Sequence, residues 1–324
     1  YASAATRERV RRAAEELNYR PNRLARALVQ GRSRMLGVLA VRGEWPPFQR
    51  AVSGVEDEAS EAGYGLLLRR AHLICEKDQQ HLHLFADSRV EGIVAISHSL
   101  LGQGGGLLAH RPPHTPLVSI NQQVDAPDTL SILMRNREAG RMLTEHLLKL
   151  GHRRVVYLDA PGGTLPTMVP QRSALERRAG YEEAMCAAGL APRVARVPFA
   201  PPEQRVAAAE AYARDLLAGP APPTAIFAVT DVDAVGVLRA CYTLGWRVPD
   251  DLALAGFDDL DVGRWSIPPI TTVRQPFYEA GRLAVRRLLS WQAGSPAEVV
   301  WLDCEILIRE SSGSAKPRKT GAPG

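Results

Sequence analysis

The chain has 324 residues, 45% of them apolar, and a formal net charge of +5, which suits a globular protein of two lobes or domains. No apolar run approaches the roughly 20 residues that a membrane-spanning helix needs. Residues 1–30 are studded with arginine rather than built around an apolar signal core, which predicts a cytoplasmic protein. Cys75, Cys186, Cys241 and Cys304 form no CxxC pair, which argues against a zinc module or a disulfide framework and suits buried thiols. His81 and His83, without a third ligand nearby, make no metal site.

The charge is uneven. Nine Arg and only three Glu lie in residues 1–34, whereas residues 35–310 carry net negative charge. A basic segment on a non-basic body suits a polyanion contacted at one end, because each neutralised phosphate releases a counterion. A solvated, Arg-rich helix face fits the same charges.

In chain order, residues 3–19 predict a helix, with Ser3 as N-cap and Val10, Ala14 and Leu17 on one face. Pro21 stops it. Asn22 then caps a short second helix, RLARALV, in which Leu24 and Leu28 are four apart and Gly31 marks the end. So short a helix is unstable alone, and a partner must order it. From residue 35 the texture becomes apolar strand-like runs alternating with amphipathic helices. Strands are expected at 35–41, 64–69, 92–97, 116–121, 131–136, 154–160, 225–230, 252–257, 271–275 and 298–308. Helices are expected at 48–62, 137–150, 173–188, 203–218, 231–244 and 277–291.

Strands that are apolar on both faces and separated by helices predict parallel sheets covered on both sides. About ten strands predict two sheets, and the pattern restarts near Gly151, which places a lobe boundary there. Ligands of open α/β sheets bind outside the carboxyl ends of strands. Those ends carry Trp45, Phe48, Ser97, Asn121, Arg135, Thr230, Asp231, Asp258 and Gln275. Residues 311–324, SSGSAKPRKTGAPG, lack apolar content and are expected to be disordered.

Catalytic signatures are missing. There is no GxSxG elbow, HExxH or Walker A sequence, and GQGGG at 102–106 lacks the third glycine of a dinucleotide fingerprint and reads as a flexible loop. Asp258 and Asp259, adjacent at a strand end, point in different directions with no nucleophile or metal partner evident. An enzyme is disfavoured, and no cofactor or metal is implied.

The run SAATRERVRRAAEELNYRPNRLARALVQGRSRMLGVL (3–39) resembles the end of the DNA-binding head, the hinge helix and the first core strand of the LacI/GalR family of transcriptional regulators. The likeness continues in family order through EASEAGYGLLL (58–68), RVEGIVAI (89–96), EHLLKLGHRRVVYL (145–158), ERRAGYEEAM (176–185), AIFAVTDVDAVGVLRACYTLGWRVPDDLALAGFDD (225–259) and PPITTVRQP (268–276). The resemblance implies an α/β, periplasmic-binding-protein-like core of two parallel-sheet lobes connected by crossing strands, preceded by a partial helical DNA-binding head and hinge helix. The implied division is a head remnant (1–20), hinge helix and linker (21–34), N-terminal lobe (35–150 plus 277–302), C-terminal lobe (151–276 plus 303–310) and disordered tail (311–324). It also implies a homodimer, with no membrane partner, whose binding of operator DNA is tuned by a small, carbohydrate-like effector in the cleft between the lobes.

In that family the hinge helices enter the minor groove and a leucine wedges into the central base step. The matching residue is Leu28, with Arg20, Asn22, Arg23 and Arg26 beside it; an apolar wedge that kinks DNA gains added contacts in return. For the effector, matching positions point to Trp45, Phe48, Asn121, Arg177, Thr230, Asp231, Asp258 and Gln275. Arg177 with Asp258 would supply donors and acceptors for hydroxyls, and Trp45 or Phe48 would stack on a sugar face. Two departures stand out. Arg135 occupies the family's usual Asp, a charge inversion that implies either an anionic or carboxylate-bearing effector or a decayed site, and Thr230 occupies the family's usual Asn. The family's first and recognition helices would precede residue 1, so weak or absent DNA binding is expected of this chain. A solute-binding protein of a sugar transport system shares the core and is the alternative; the hinge sequence and the lack of a secretion signal favour the regulator.

Overall fold

In the computed structural model, which describes residues 3–17, 32–41, 45–71, 75–96, 108–160 and 172–314, helix α1 (Ala4–Glu16) begins at Ser3. The Ser3 hydroxyl accepts a hydrogen bond from the Thr6 N–H at 3.2 Å, satisfying one of the donors left open at a helix start. No residue of α1 is buried: Val10 and Leu17 are exposed, and Arg11 pairs along the surface with Glu8 and Glu15. The hinge residues Arg20, Asn22, Arg23, Arg26 and Leu28, and also Ser97, lie outside the described residues.

The strands follow as β1 (Met35–Val41), β2 (Gly65–Ala71), β3 (Ile93–Ile96), β4 (Leu117–Ile120), β5 (Thr129–Met134), β6 (Val155–Asp159), β7 (Arg193–Arg196), β8 (Ala225–Ala228), β9 (Ala253–Ala255), β10 (Thr272–Arg274), β11 (Glu298–Leu302) and β12 (Glu305–Leu307). The longer helices after α1 are α2 (Pro46–Glu61), α3 (Cys75–Asp87), α4 (Asn136–Lys149), α5 (Arg172–Ala187), α6 (Arg205–Ala218), α7 (Asp231–Thr243) and, after the single turn α8 (Asp261–Arg264), α9 (Phe277–Leu289). Two sheets result, as expected for doubly covered parallel strands. The first has the order β11-β5-β4-β3-β1-β2 and the second β7-β6-β8-β9; β10 and β12 form a separate antiparallel pair. Every residue of β3, β4 and β5 is buried.

Each lobe has its own core. In the first, Val38, Val94, Val118 and Ile132 of the sheet meet Phe48, Val52, Phe277 and Val285 of α2 and α9. In the second, Tyr157 stacks on Tyr181 of α5 and Phe227 on Phe257, with Tyr157 meeting Phe227 edge-on. Both lobes bring one helix pair together by the same means. A Cβ at Gly54 or Gly281 would overlap a backbone oxygen across the α2–α9 crossing, and one at Gly140 or Gly180 would do so across α4–α5.

The structure corrects four expectations. Residues 136–149 fall on the first-lobe side of the expected boundary at 150/151, yet Ala139, Leu143 and Leu147 of α4 are buried in the second core. The change of lobe therefore comes at Arg135, where β5 ends, because the apolar face of α4 matches α5. The run 298–308, expected as one strand, is two: β11 pairs with β5 and β12 with β10. The tail is ordered at its start, since Ser311 is fully buried and binds backbone of Leu254, Pro269 and Thr271. Its burial comes from hydrogen bonds that composition does not display. Cys186 is exposed, whereas Cys241 is buried. Helix α3 and strand β7 were not anticipated.

The chain passes between the lobes three times: from β5 to α4, from β10 to α9 and from β11 to β12. Arg135 N–H donates to the Leu302 carbonyl, and β12 is hydrogen-bonded to β10, so the third crossing is tied to the other two. Among the described residues no helix is long and apolar enough to cross a membrane, and no group of three or more His, Cys, Asp and Glu is placed to hold a metal.

Candidate functional site

Beyond β9 the backbone turns sharply. Asp258 and Asp259 have φ of 98° and 50°, a region that non-glycine residues enter at a cost of roughly 1–3 kcal/mol and that clusters at functional sites. The turn sends the two neighbouring carboxylates to different partners.

Asp258 is buried, and its Oδ1 accepts from Arg177 Nη2 at 3.0 Å and from Gln275 Nε2 at 2.6 Å. Arg177 comes from α5, where neighbouring Arg178 instead makes the local helix pair with Glu182. Its Nε donates to Asn136 Oδ1 at 3.0 Å and its Nη1 to the Val229 carbonyl at 2.8 Å. The guanidinium lies 3.8 Å from the centre of the Phe257 ring, close enough for a cation–π contact. Gln275 follows β10 at a lobe crossing. Burial pushes the Asp258 carboxyl above its ordinary value, against the pull of Arg177. Among the described residues, Asp258 Oδ2 and Gln275 Oε1 are buried with no hydrogen-bond partner. Buried acceptors left without a donor are costly, and a partner bearing donors removes that cost.

The other expected effector residues divide. Asp231, at the start of α7, is fully buried and braces the turn, its carboxylate accepting from the Thr272 hydroxyl and the Leu260 N–H, both at 2.7 Å. A Cβ at Gly256 would collide with it, which is why the turn begins with glycine. Burial drives the Asp231 carboxyl far upward. Thr230 caps α7 and donates to Asp233 Oδ2 at 2.6 Å, and Asp233 in turn holds Arg205. Both are engaged inside the second lobe. Phe48 is buried edge-on against Phe277, with ring centres 5.6 Å apart, so it packs the first core rather than offering a face for stacking. Trp45, half-buried at the start of α2, packs against the same core.

Asn121 ends β4 in the left-handed region, with φ 70°. Arg135, whose charge implied an anionic ligand, is already paired: Nε meets Asp303 at 3.1 Å and Nη1 meets Glu138 at 3.5 Å. Asp303 supplies the acid that the first crossing lacks. Sequence reasoning missed Asn136, which orients Arg177; Cys304, expected as a buried thiol, packs against both cores, and burial pushes its thiol up to about 12. Asn136 carried no local signal and read as the end of a strand.

Asp259 faces a second group. Its fully buried carboxylate meets Arg264 at 3.1 Å, Arg274 at 2.9 Å and Arg309, while Arg50 of the first lobe lies at 3.8 Å and donates to the Asp259 carbonyl at 2.7 Å. Burial alone would raise this carboxyl, yet hydrogen bonds from Arg309 and Arg274 hold it below its ordinary value. On another side of the junction, Arg172 at the start of α5 donates to Gln123, which follows β4. The carboxyl ends of the two sheets thus face each other across the lobe junction.

A family described as "Periplasmic binding protein-like domain" matches residues 144–312, just over half of the chain. The ribose operon repressor of Halalkalibacterium halodurans is 29% identical over 314 residues, covering 96% of this chain and 89% of that protein. The HTH-type transcriptional repressor PurR of Photobacterium profundum is 28% identical over 313 residues, covering 96% and 91%. This chain belongs to the LacI/GalR family. Among solved structures, a complex of the transcriptional regulator CelR with cellobiose superposes with a TM-score of 0.70 at 27% identity, covering 96% of this chain and 92% of CelR. The lac repressor dimer bound to operator and an anti-inducer shares the fold, with a TM-score of 0.77 at 24% identity and coverage of 97% and 92%. These relatives are repressors and regulators of transcription, and they support a ligand-responsive transcriptional repressor.

Proposed function

We propose that the cleft binds a small, hydroxyl-rich effector, of sugar or sugar-derivative chemistry, at Arg177, Asp258 and Gln275, and that its occupancy tunes operator binding by a homodimer. One observation carries the reading: two buried acceptors, Asp258 Oδ2 and Gln275 Oε1, have no donor among the described residues, on side chains joined to each other by the Gln275 Nε2 to Asp258 Oδ1 bond and beside a guanidinium fixed by three acceptors. A polyol supplies adjacent donors that satisfy both, and a fixed Arg offers a return bond to a hydroxyl oxygen. Asn121 and Trp45, at the ends of first-lobe elements, complete the recognition from the facing lobe, and Arg135 with Asp303 forms its rim. The cellobiose in CelR is of the chemistry proposed.

A second copy of the chain fits an exposed apolar group on the second lobe. Val262, Trp265 and Ile267 are 50%, 74% and 94% exposed within six residues of chain, more apolar surface than a soluble face needs in one place. Operator contact through the hinge follows from the family resemblance.

The test is isothermal calorimetry of neutral mono- and disaccharides against the chain and its Asp258→Asn and Gln275→Ala variants. A saturable heat that weakens at least tenfold in either variant supports the reading. No saturable heat with any of them, or affinities indifferent to both changes, rejects it.

A further inference from the structure

A cavity of about 390 Å³ lies at the lobe junction on the Asp259 side, lined by Arg50, Asp259, Arg264, Arg274, Gln275 and the first turn of α9, including Glu279. Arg50 reaches it from the first lobe and Arg264 and Arg274 from the second. Three guanidinium groups face two carboxylates there, and one of those, Asp259, is also claimed by Arg309 from outside the lining. Each guanidinium has five N–H donors and no acceptor. Arg264 also lies 3.9 Å from Asp261 and Arg274 3.4 Å from Glu305, contacts long enough to yield to a better-placed anion. Arg50 hydrogen-bonds here only to the Asp259 carbonyl, and its guanidinium is 32% exposed. Those of Arg264 and Arg274 are 45% and 43% exposed. All three are therefore accessible while anchored on one side.

We infer that this cavity is an oxyanion site, taking a phosphate or carboxylate group between Arg50 on one lobe and Arg264 and Arg274 on the other. The geometry suits such a group because planar forks converging from two directions offer paired N–H donors to several oxygens at once. An oxyanion held there ties the lobes together in the arrangement described, so it favours closure of the cleft without touching Arg177. The cavity adjoins the proposed effector site through Gln275, which lines both, but it includes neither Arg177 nor Asp258. The anionic character that Arg135 implied, and that its pairing with Asp303 cancels, belongs on this side of the junction.

The probe is inorganic phosphate, titrated calorimetrically into the full chain at constant ionic strength, with glucose 6-phosphate and glucose in parallel. Saturable binding of phosphate or of the phosphate ester, weakened roughly tenfold or more by Arg274→Gln or Arg264→Gln, supports the proposal. If the ester binds much more tightly than free phosphate while glucose stays silent, the oxyanion is part of a larger ligand. If the two bind alike, it is a separate co-effector. Should the second-lobe variants unfold, Arg50→Gln serves, because its side chain braces no buried carboxylate alone. Absence of saturable heat with both phosphate compounds, or binding unchanged in the folded variants, overturns the proposal. Loss of sugar binding in Asp258→Asn with phosphate binding retained keeps the two sites distinct.

Discussion

Asp258 and Asp259 are neighbours in one turn, yet they show two ways of keeping a buried carboxylate. Asp258 has one guanidinium, itself fixed by Asn136 and Val229, and retains an oxygen with no partner. Asp259 has guanidinium groups on both oxygens. The first, on the proposed reading, is held for an effector; the second is a carboxylate whose own oxygens are taken by the protein's guanidinium groups. The carboxyl shifts follow: Asp258 lies above its ordinary value and Asp259 below it. An underserved acid suits recognition, and a saturated one suits holding pieces together.

The contrast is broken most severely at Arg177. Arg177→Ala leaves Asp258 buried without its counter-charge and should cost about 3–5 kcal/mol, read from urea unfolding, together with loss of sugar binding by calorimetry. The double variant Arg177→Met with Asp258→Asn should regain much of that stability and none of the binding; recovery of both would mean the pair is only structural. Asp259→Asn weakens charge-assisted bonds to partly exposed arginines, and a smaller loss of roughly 2 kcal/mol is expected, with sugar affinity nearly unchanged.

The pH dependence of unfolding should sharpen the same contrast with opposite signs. Asp259, depressed from its ordinary 3.8, contributes stability that is present above that value and disappears as pH falls below it. Asparagine at 259 should therefore flatten the acid limb of a stability–pH curve. Asp258, raised above 3.8, binds its proton more readily when folded, so its contribution declines as pH climbs from 3.8 through its folded value. The smallest effect belongs to Arg50→Gln, below about 1 kcal/mol for an exposed contact. Its signature is instead a wider lobe separation in small-angle scattering; an unchanged profile would remove Arg50 from the junction.

Much of the fold was readable because the central strands are short runs of Val, Ile and Leu bounded by amphipathic helices, and parallel burial allows few other patterns. What failed to show was assignment between lobes. Helix α4 has a clean apolar face, but periodicity does not say which sheet it covers. EVVWLDCEILI has no glycine or proline to mark where it leaves one lobe, and only its pairing with β5 and then β10 divides it. In the site, Arg177 and Asp258 are 81 positions apart, and only the family likeness brought them together. Phe48 offered a local clue that went unused: with Val52, Val55 and Ala59 it forms a helical stripe, the pattern of a core residue.

The three crossings are hydrogen-bonded to one another, the third being shared by the other two. Strands tied in this way favour a concerted swing of the two lobes over independent movement of three connections. If the proposed effector closes the lobes at Asp258, that swing would carry the first lobe, to which Arg32 and Ser33 are bonded through Glu91 and Arg89, in one direction. A looser tether of three independent loops would scatter that movement over many directions, and nothing definite would reach the far end.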